Sequence, residues 1–134
     1  MAETYTLHVA GLTRELTRCK LNDHMDIAAF IMLGDTELTV AAAGELLKKC
    51  PDFDILLTAE AKGIPLAHEM SRQSGKRVLV VDDVISTGGS LKALDALAEQ
   101  TQCTIVGQAA VLAEGDAAER KDIIFLEPLP LFFH

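Results

Sequence analysis

Strand-like and helix-like hydrophobic patterns alternate along the second half of the chain. Short apolar runs that predict buried strands cover 53–58, 77–81, 104–112 and 122–126. Apolar residues at helical spacing predict helices over 64–73 and 89–100. Because strands and helices alternate at this spacing, the pattern predicts a parallel sheet with helices covering its faces. In such sheets ligands bind beyond the carboxyl ends of the strands.

The first third of the chain predicts a small β segment followed by one helix. Residues 4–10 and 26–33 have patterns that fit strands, and the polar segment between them shows no clear turn. Gly34-Asp35-Thr36 predicts a helix start with Asp35 or Thr36 as the N-cap residue. The two lysines before Pro51 complement the helix dipole, and this proline ends the helix.

Length and composition are those of one packed domain. The chain has 134 residues, of which 49% are hydrophobic and 24% charged. We expect a single domain over 1–134, with N-terminal strands in 1–33, an α/β core in 34–126 and a tail in 127–134. No apolar run approaches the roughly 20 residues of a membrane span, and the start of the chain does not resemble a secretion signal. No membrane partner is therefore expected.

Charge and cysteine usage narrow the range of functions further. The net charge is -8 and the twelve Lys and Arg residues are scattered, so the basic stripe of a nucleic-acid binder is missing. Cys19, Cys50 and Cys103 are odd in number and widely spaced. They predict free thiols in a reducing cytoplasm rather than a disulfide framework or a zinc site.

Residues 78–90 carry the most informative chemistry, since an apolar strand there runs into two acids and a Gly-rich turn. We expect Asp82 and Asp83 at the exposed carboxyl end of that strand, with side chains on opposite faces. Carboxylates suit ribose hydroxyls or a divalent cation. The backbone N–H groups of a turn at a helix N-terminus suit a phosphate. The simpler interpretation is an ordinary strand-to-helix turn with a Gly-rich cap.

Three familiar patterns of this general kind do not fit the sequence. A Walker loop needs Gly-x-x-x-x-Gly-Lys-Ser/Thr and a dinucleotide site needs Gly-x-Gly-x-x-Gly, and neither occurs. A response-regulator receiver domain has a similar acid pair, but near its N-terminus and with a functional lysine far downstream. Here too few residues follow Asp83 and the last lysine is Lys121, so the order of these residues does not fit a receiver domain.

Residues 78–90 resemble the phosphoribosyl pyrophosphate (PRPP) motif of the type I phosphoribosyltransferases, and within that family the adenine type. The shared features are the apolar strand, the acid pair, two apolar residues and Ser-Thr-Gly-Gly-Ser. The resemblance implies that Asp82 and Asp83 hold the ribose hydroxyls and organise Mg²⁺ indirectly, through PRPP. It also implies a 5′-phosphate site formed by Ser86, Thr87, Gly88, Gly89 and Ser90.

The fold that the resemblance implies is α/β. It is a three-layer, doubly wound, mainly parallel sheet with helices on both faces, preceded by a short N-terminal β segment. The C-terminal segment 125–132 has two interpretations that the sequence leaves open. It either helps to form the hood that covers the base in this family, or packs as an apolar tail against the edge of the sheet.

A second loop agrees with the resemblance. The residues concerned are Ala59, Glu60, Ala61, Lys62 and Gly63. They resemble the pyrophosphate-binding loop of adenine-type members, which reads Glu-Ala/Ser-Arg-Gly. A lysine in place of the usual arginine keeps the charge but loses bidentate contact with a phosphate. An equally open interpretation of Lys62 is a solvated residue at a helix start.

The sequence departs from the family between Met70 and Val78. Family members have a strand and a mobile flap there, and adenine-type members carry a catalytic Glu in the flap. The intervening residues are too few for either, so the catalytic residues stay unknown. Three explanations are open: residues are absent from the sequence at this point, the flap has been deleted, or the chain is a natural relative that only binds. We favour the first, because residues 73–77 resemble two family segments joined directly.

The functional expectation is a purine, adenine-type phosphoribosyltransferase that joins a nucleobase to PRPP and releases pyrophosphate. The alternative is a module that binds PRPP or a nucleotide for sensing or regulation, without turnover. Mg²⁺ is the expected cofactor. The partners expected are PRPP, a nucleobase or nucleotide and a second copy of the chain in a homodimer, in the cytoplasm and without nucleic acid.

Overall fold

Two four-stranded sheets, one parallel and one antiparallel, contribute to one main hydrophobic core. The computed structural model describes residues 3–59, 61–74, 79–100 and 105–133. The strands are β1 Thr4–Val9, β2 Leu12–Asn22, β3 Met25–Ala28, β4 Leu57–Thr58, β5 Val80–Ile85, β6 Gln108–Glu114, β7 Ile124–Leu129 and β8 Leu131–Phe133. The helices are α1 Thr36–Lys49, α2 Ile64–Ser74 and α3 Gly89–Gln100, with a 3₁₀ turn over Gly115–Glu119.

The parallel sheet has the strand order β4-β5-β6-β7, and its neighbours run in the same direction. Two arrays of side chains cover its faces. Leu66 and Met70 of α2 share one hydrophobic cluster with α1 and with alternate residues of β5 and β6. Leu91 and Leu94 of α3 belong to a second cluster that includes Val80. The expected α/β fold with helices on both faces of a mainly parallel sheet is therefore confirmed.

The connections on either side of β5 have opposite hands. The sheet order advances in one direction from β4 through β5 to β6. The helix between the first two strands lies on one face, and the helix between the last two lies on the other. Strand–helix–strand connections in parallel sheets are right-handed in about 98% of cases. One of these two therefore departs from the rule, and the connection that contains α2 is also the one where the sequence departs from the family that it resembles.

Helix α1 begins and ends as its sequence predicts. Asp35 is the N-cap, and its side chain accepts a hydrogen bond from the backbone N–H of Leu38 at 3.0 Å. Arg14 on β2 pairs with the same carboxylate at 2.7 Å, which ties the antiparallel sheet to the helix start. The helix stops at Cys50, whose N–H still donates to the carbonyl of Leu46, and a proline follows.

The antiparallel sheet is larger than its sequence predicts. Its order is β1-β2-β3-β8, so both the long strand β2 and the short strand β8 were missed. The strand expected over 26–33 is wrong beyond Ala28, because the chain leaves the sheet there and continues as a loop. Within β2 the half-buried side chains include Arg14 and Arg18, and these charges obscure the alternation of apolar and polar residues.

Strand boundaries in the parallel sheet also differ from the prediction. The strand expected over 53–58 is reduced to Leu57–Thr58, while the strand expected to end at Val81 continues to Ile85. The last two strands extend to Glu114 and Leu129, beyond 112 and 126. The α/β core therefore continues into the segment that was predicted to be a tail.

The C-terminal segment packs against the antiparallel sheet. Strand β8 pairs with β3, with Leu131 opposite Ile27. The ring of Phe132 lies edge-on to Tyr5 with centroids 5.8 Å apart, and the guanidinium of Arg18 lies 4.2 Å from the centroid of the Phe132 ring. The interpretation as an apolar segment that packs at a sheet edge is confirmed for these residues.

Two expectations drawn from composition can be compared with the described residues. Cys19 and Cys50 are free thiols, whereas Cys103 lies outside that part of the chain. Burial raises the pKa of the Cys50 thiol to about 11. None of the helices in the described ranges is long and apolar enough to cross a bilayer.

Candidate functional site

A notch opens in the parallel sheet where β4 ends before β5 does. The pairing of β4 with β5 stops at Thr58 opposite Val81. Strand β5 remains paired with β6 as far as Ile85. Asp82 and Asp83 therefore lie inside the strand, not beyond its end as the sequence predicted. They are nevertheless at the carboxyl end of β4, where the loop that starts at Ala59 takes the place of a neighbouring strand.

Asp83 is buried with one carboxylate oxygen that lacks a hydrogen bond. The residue is only 2% exposed. Its Oδ1 accepts a hydrogen bond from the backbone N–H of Val84 at 2.9 Å. Its Oδ2 is buried and has no hydrogen-bond partner among the described residues, and the Lys62 ammonium lies 3.6 Å away. A buried carboxylate oxygen in this condition is costly unless a ligand supplies a donor or a cation.

Asp82 is half-buried and holds its proton more tightly than a free carboxyl group. Burial is the main reason why the pKa of Asp82 rises to about 6, and the Asp83 carboxylate raises it further while Lys62 opposes the change. Its Oδ1 accepts the N–H of Asp83 at 2.8 Å. The burial of successive residues alternates, with Asp82 half-buried and Asp83 buried, as expected for side chains on opposite faces of a strand.

The loop predicted to bind pyrophosphate packs directly against the acid pair. Gly63 is buried, and a Cβ atom added to it would lie 2.2 Å from Thr58 Oγ1 and 3.3 Å from the Cα atom of Asp82. Only a glycine therefore permits this close approach of the loop after β4 to strand β5. Lys62 extends from the same loop toward Asp83, while Ala59 and Ala61 flank Glu60, which lies outside the described residues.

The loop predicted to bind the 5′-phosphate surrounds a small cavity at the start of α3. The cavity has a volume of about 120 Å³ and is lined by Asp82, Val84, Ile85, Ser86, Thr87, Gly88, Gly89, Ser90 and Leu91. This is the volume of about four water molecules at ~30 Å³ each. Gly88 has a φ of +79°, which glycine adopts without strain, and its carbonyl accepts the N–H of Lys92 at 3.1 Å. Asp82 and the five predicted loop residues therefore share one cavity, whose lining does not include Asp83.

The donor set fits a cation only in an indirect role. Among the described residues, no group of three or more His, Cys, Asp and Glu side chains could hold a metal. Asp82 and Asp83 offer carboxylate oxygens, of which Asp83 Oδ2 lacks a donor. Because Mg²⁺ prefers six oxygen ligands, most would have to come from a bound ligand and water. This fits the predicted arrangement in which the acids organise Mg²⁺ through PRPP, and the roles of the individual residues remain predictions.

Arg120 is a basic residue at this site that the sequence did not reveal. It follows the 3₁₀ turn Gly115–Glu119, and its Nη1 atom lies 2.8 Å from the position that a Cβ atom on Gly88 would occupy. The local sequence Glu-Arg-Lys-Asp is a run of charges typical of a solvated turn. Nothing in that run indicates a contact with the loop after β5.

Part of the chain is similar in sequence to proteins of known function. The model of the phosphoribosyl transferase domain matches residues 73–129. Adenine phosphoribosyltransferase of Xanthomonas campestris pv. campestris (strain B100) is 55% identical over 47 residues, which are 35% of this chain and 25% of that protein. The enzyme of that name from Symbiobacterium thermophilum is 41% identical over 54 residues, which are 40% of this chain and 32% of that protein.

A solved structure extends the comparison to the whole fold. Adenine phosphoribosyltransferase from Thermoanaerobacter pseudethanolicus superimposes with a TM-score of 0.70, covering 84% of this chain and 95% of that chain. At 16% identity this similarity concerns the fold alone.

The sequence match is confined to one part of the chain. It spans about a quarter to a third of the length of the curated relatives, and the match to the domain model leaves out the loop at 59–63. The acid pair and the loop after β5 lie inside the matched segment. Residues 73–129 are therefore similar to the phosphoribosyl transferase domain, part of the sequence is similar to adenine phosphoribosyltransferases, and the fold is similar to that of one of them.

Proposed function

We propose that this chain binds PRPP in the notch between β4 and β5 and transfers its phosphoribosyl group to a purine base, with release of pyrophosphate. The observation that carries the proposal is the convergence of three features on one notch. They are the buried Asp83 oxygen that lacks a hydrogen bond, the cavity of the loop at Ser86–Ser90, and the ammonium of Lys62 at 3.6 Å from that oxygen. Each of them suits a different part of PRPP.

The polar groups of PRPP match these features in order. The ribose hydroxyls would donate to Asp82 and Asp83, which satisfies the orphaned oxygen. The 5′-phosphate would accept backbone N–H groups at the start of α3 within the 120 Å³ cavity. The pyrophosphate would lie toward residues 59–63, where Lys62 offers a positive charge. Mg²⁺, when bound, would neutralise part of the pyrophosphate charge.

Catalysis in this proposal rests on positioning and electrostatics. Holding the ribose on the rigid, buried strand β5 orients its anomeric carbon toward the incoming base. The fixed N–H groups and the Lys62 ammonium stabilise the leaving pyrophosphate. The described residues offer no general base of the kind that family members carry, and so none is assigned.

A module that binds PRPP or a nucleotide without turnover is the second candidate. The observation in its favour is the connection between α2 and β5, which is too short for the family's strand and flap. Helix α2 continues without interruption to Ser74, and residues 75–78 lie outside the described part of the chain. The prediction that residues are absent there therefore stays untested. The opposite hands of the two connections that flank β5 favour missing residues, because an intact parallel sheet would have right-handed connections on both sides of this strand.

Turnover separates the two candidates. The purified chain is incubated with radiolabelled PRPP, Mg²⁺ and each of the common purine and pyrimidine bases. Formation of a labelled nucleotide with adenine supports the adenine-type assignment, and product with a different base would correct the specificity. Binding of PRPP by calorimetry without product would overturn the enzymatic proposal in favour of the sensor. An intact mass above 14.4 kDa for the native protein would support missing residues.

The oligomeric state and the cellular location of the protein are proposed from the resemblance to adenine-type phosphoribosyltransferases. We expect the natural protein to form a homodimer in the cytoplasm, as the adenine-type resemblance implies. Sedimentation velocity of the full chain tests the dimer directly.

A further inference from the structure

The Arg120 side chain lies against the backbone of the loop that surrounds the phosphate cavity. Its Nη1 atom is 2.8 Å from the position where a side chain on Gly88 would begin. Gly88 is buried, whereas its neighbours Ser86, Thr87, Gly89 and Ser90 are exposed. The arginine therefore occupies the space that the missing side chain leaves, next to one residue of a solvent-accessible loop.

The orientation of the guanidinium is fixed by an acid on its far side. Nε donates to Asp122 Oδ1 at 2.9 Å, and Nη2 donates to Asp122 Oδ2 at 2.5 Å. This bidentate pair uses one edge of the planar group. Among the described residues, no hydrogen bond occupies Nη1, the nitrogen that faces the loop. A donor is thus presented at the phosphate loop from a position that Asp122 holds in place.

We propose that Arg120 is a further 5′-phosphate-binding residue, which adds a fixed positive charge and an Nη1 donor to the backbone N–H groups of residues 86–90. The inference rests on the proposed function, since it assumes that a phosphoribosyl ligand enters this cavity. Among the described residues, the cavity itself is lined by one charged side chain, the carboxylate of Asp82, and Arg120 reaches it from behind Gly88. A dianionic phosphate there gains from a nearby guanidinium, and the gain is larger because the arginine is only 34% exposed.

A purely structural role for Arg120 predicts different behaviour. If the side chain only supported the loop or the 3₁₀ turn, its loss would lower thermal stability and weaken every ligand of the notch equally. A phosphate-binding role predicts a selective loss for ligands that carry a 5′-phosphate. Inorganic pyrophosphate provides the reference ligand, because it is expected at Lys62 on the other side of the notch.

The experiment titrates the full chain by calorimetry with ribose 5-phosphate and with inorganic pyrophosphate, both in the presence of Mg²⁺. For Arg120→Met we expect affinity for ribose 5-phosphate to fall about tenfold or more, as for loss of a charge-assisted hydrogen bond. Affinity for pyrophosphate should change less than about twofold. Arg120→Lys should recover part of the loss, because it restores the charge without the planar group.

Lys121→Met is the matched control. It removes the same charge from the adjacent, exposed position, and both affinities should stay within about twofold of the original. Equal weakening of both ligands by Arg120→Met, or unchanged binding of ribose 5-phosphate, would overturn the role of Arg120 alone. Absence of ribose 5-phosphate binding by the unaltered chain would instead overturn the proposed function, and this inference with it.

Discussion

The two sides of the notch are built to different degrees. On the phosphate side, β5 is paired with β6 up to Ile85, and the loop that follows enters α3 directly. On the pyrophosphate side, β4 has two residues, and its loop lies outside the segment that matches the phosphoribosyl transferase domain. The difference teaches that the half-site proposed for a phosphoribosyl group is well formed, whereas the half-site proposed for pyrophosphate has less support from the fold.

The same contrast separates binding from catalysis. The groups that would hold ribose and the 5′-phosphate lie on one continuous strand–loop–helix unit. The groups that would complete the pyrophosphate side depend on the connection from α2 to β5, where the sequence departs from the family. Substitutions on the two sides should therefore have distinguishable effects on binding.

Gly88→Val should abolish binding of ribose 5-phosphate, a loss of about a hundredfold or more. The residue has a φ of +79°, and a Cβ atom would meet the Arg120 guanidinium at 2.8 Å, so both the backbone and its neighbour must shift. Calorimetric titration measures the loss. Gly11→Val is the control, since Gly11 has a φ of +75° with no atom within 4 Å of the added Cβ. It should cost similar stability but leave binding intact, and equal loss in both variants would contradict the loop assignment.

Gly63→Ala should lower the affinity for pyrophosphate by about ten- to a hundredfold. It should also lower the free energy of unfolding by about 1–3 kcal/mol. The added Cβ would lie 2.2 Å from Thr58 Oγ1, which forces the loop away from Asp82. Adding Thr58→Ala removes that oxygen and should restore part of the stability. Pyrophosphate titration and urea denaturation measure the two effects. Normal pyrophosphate affinity in the single variant would show that the packing of this loop does not matter.

Asp82→Asn should lower the affinity for ribose 5-phosphate about tenfold. It should nevertheless raise the free energy of unfolding of the ligand-free chain at pH 7.5 by about 1 kcal/mol, a value discounted because the residue is partly exposed. The pKa of about 6 in the folded chain lies above that of a free carboxyl. The folded state therefore binds more protons between about pH 4 and 6, and the contribution of this group to stability falls as the pH rises through that window.

Urea denaturation at pH 4 and 7.5 isolates the effect of Asp82, because the difference between the unaltered chain and Asp82→Asn cancels other titrating groups. The asparagine keeps an oxygen that can accept the N–H of Asp83, so the backbone contact survives. The stability advantage of the variant should be present at pH 7.5 and vanish at pH 4. An advantage of the same size at both values would mean that the carboxyl titrates normally.

Lys62→Arg should tighten pyrophosphate binding by about two- to fivefold, the smallest effect in the series. An arginine offers bidentate contact to a phosphate, where the lysine acts as a point charge. Lys62→Met should weaken pyrophosphate and leave Asp83 without its neighbouring charge, which is now 3.6 Å away. The affinities come from the same calorimetric titrations. If the unaltered chain, Lys62→Arg and Lys62→Met bound pyrophosphate equally well, the interpretation of Lys62 as a solvated residue at a helix start would be correct.

The sequence predicts which strands and helices occur better than it predicts where they begin and end. The N-cap at Asp35, the order of the parallel elements and the Gly-rich turn that leads into α3 all follow from local chemistry. Strand β2 was missed because Arg14 and Arg18 occupy half-buried positions and find their partners elsewhere in the chain. Such partners depend on tertiary contacts and leave no local signal.

The same limit applies to the site. The acid pair was expected beyond its strand because acids rarely occupy strand interiors. Here β4 ends at Thr58, so Asp82 and Asp83 lie in a strand that has lost one neighbour at that point. The contact of Arg120 with Gly88 depends on the path of the chain after β6. No pattern in the local sequence specifies that path.

The central claim is that the notch binds PRPP, and calorimetric titration of the full chain with PRPP and Mg²⁺ tests it most directly. We predict saturable binding with one site per chain and a Kd between about 1 μM and 1 mM, the range usual for enzyme substrates. Affinity should fall at least tenfold in Gly88→Val, whose residue lines the phosphate cavity, and stay unchanged in the matched Gly11→Val. No saturable binding at millimolar PRPP by the correctly folded chain would contradict the account.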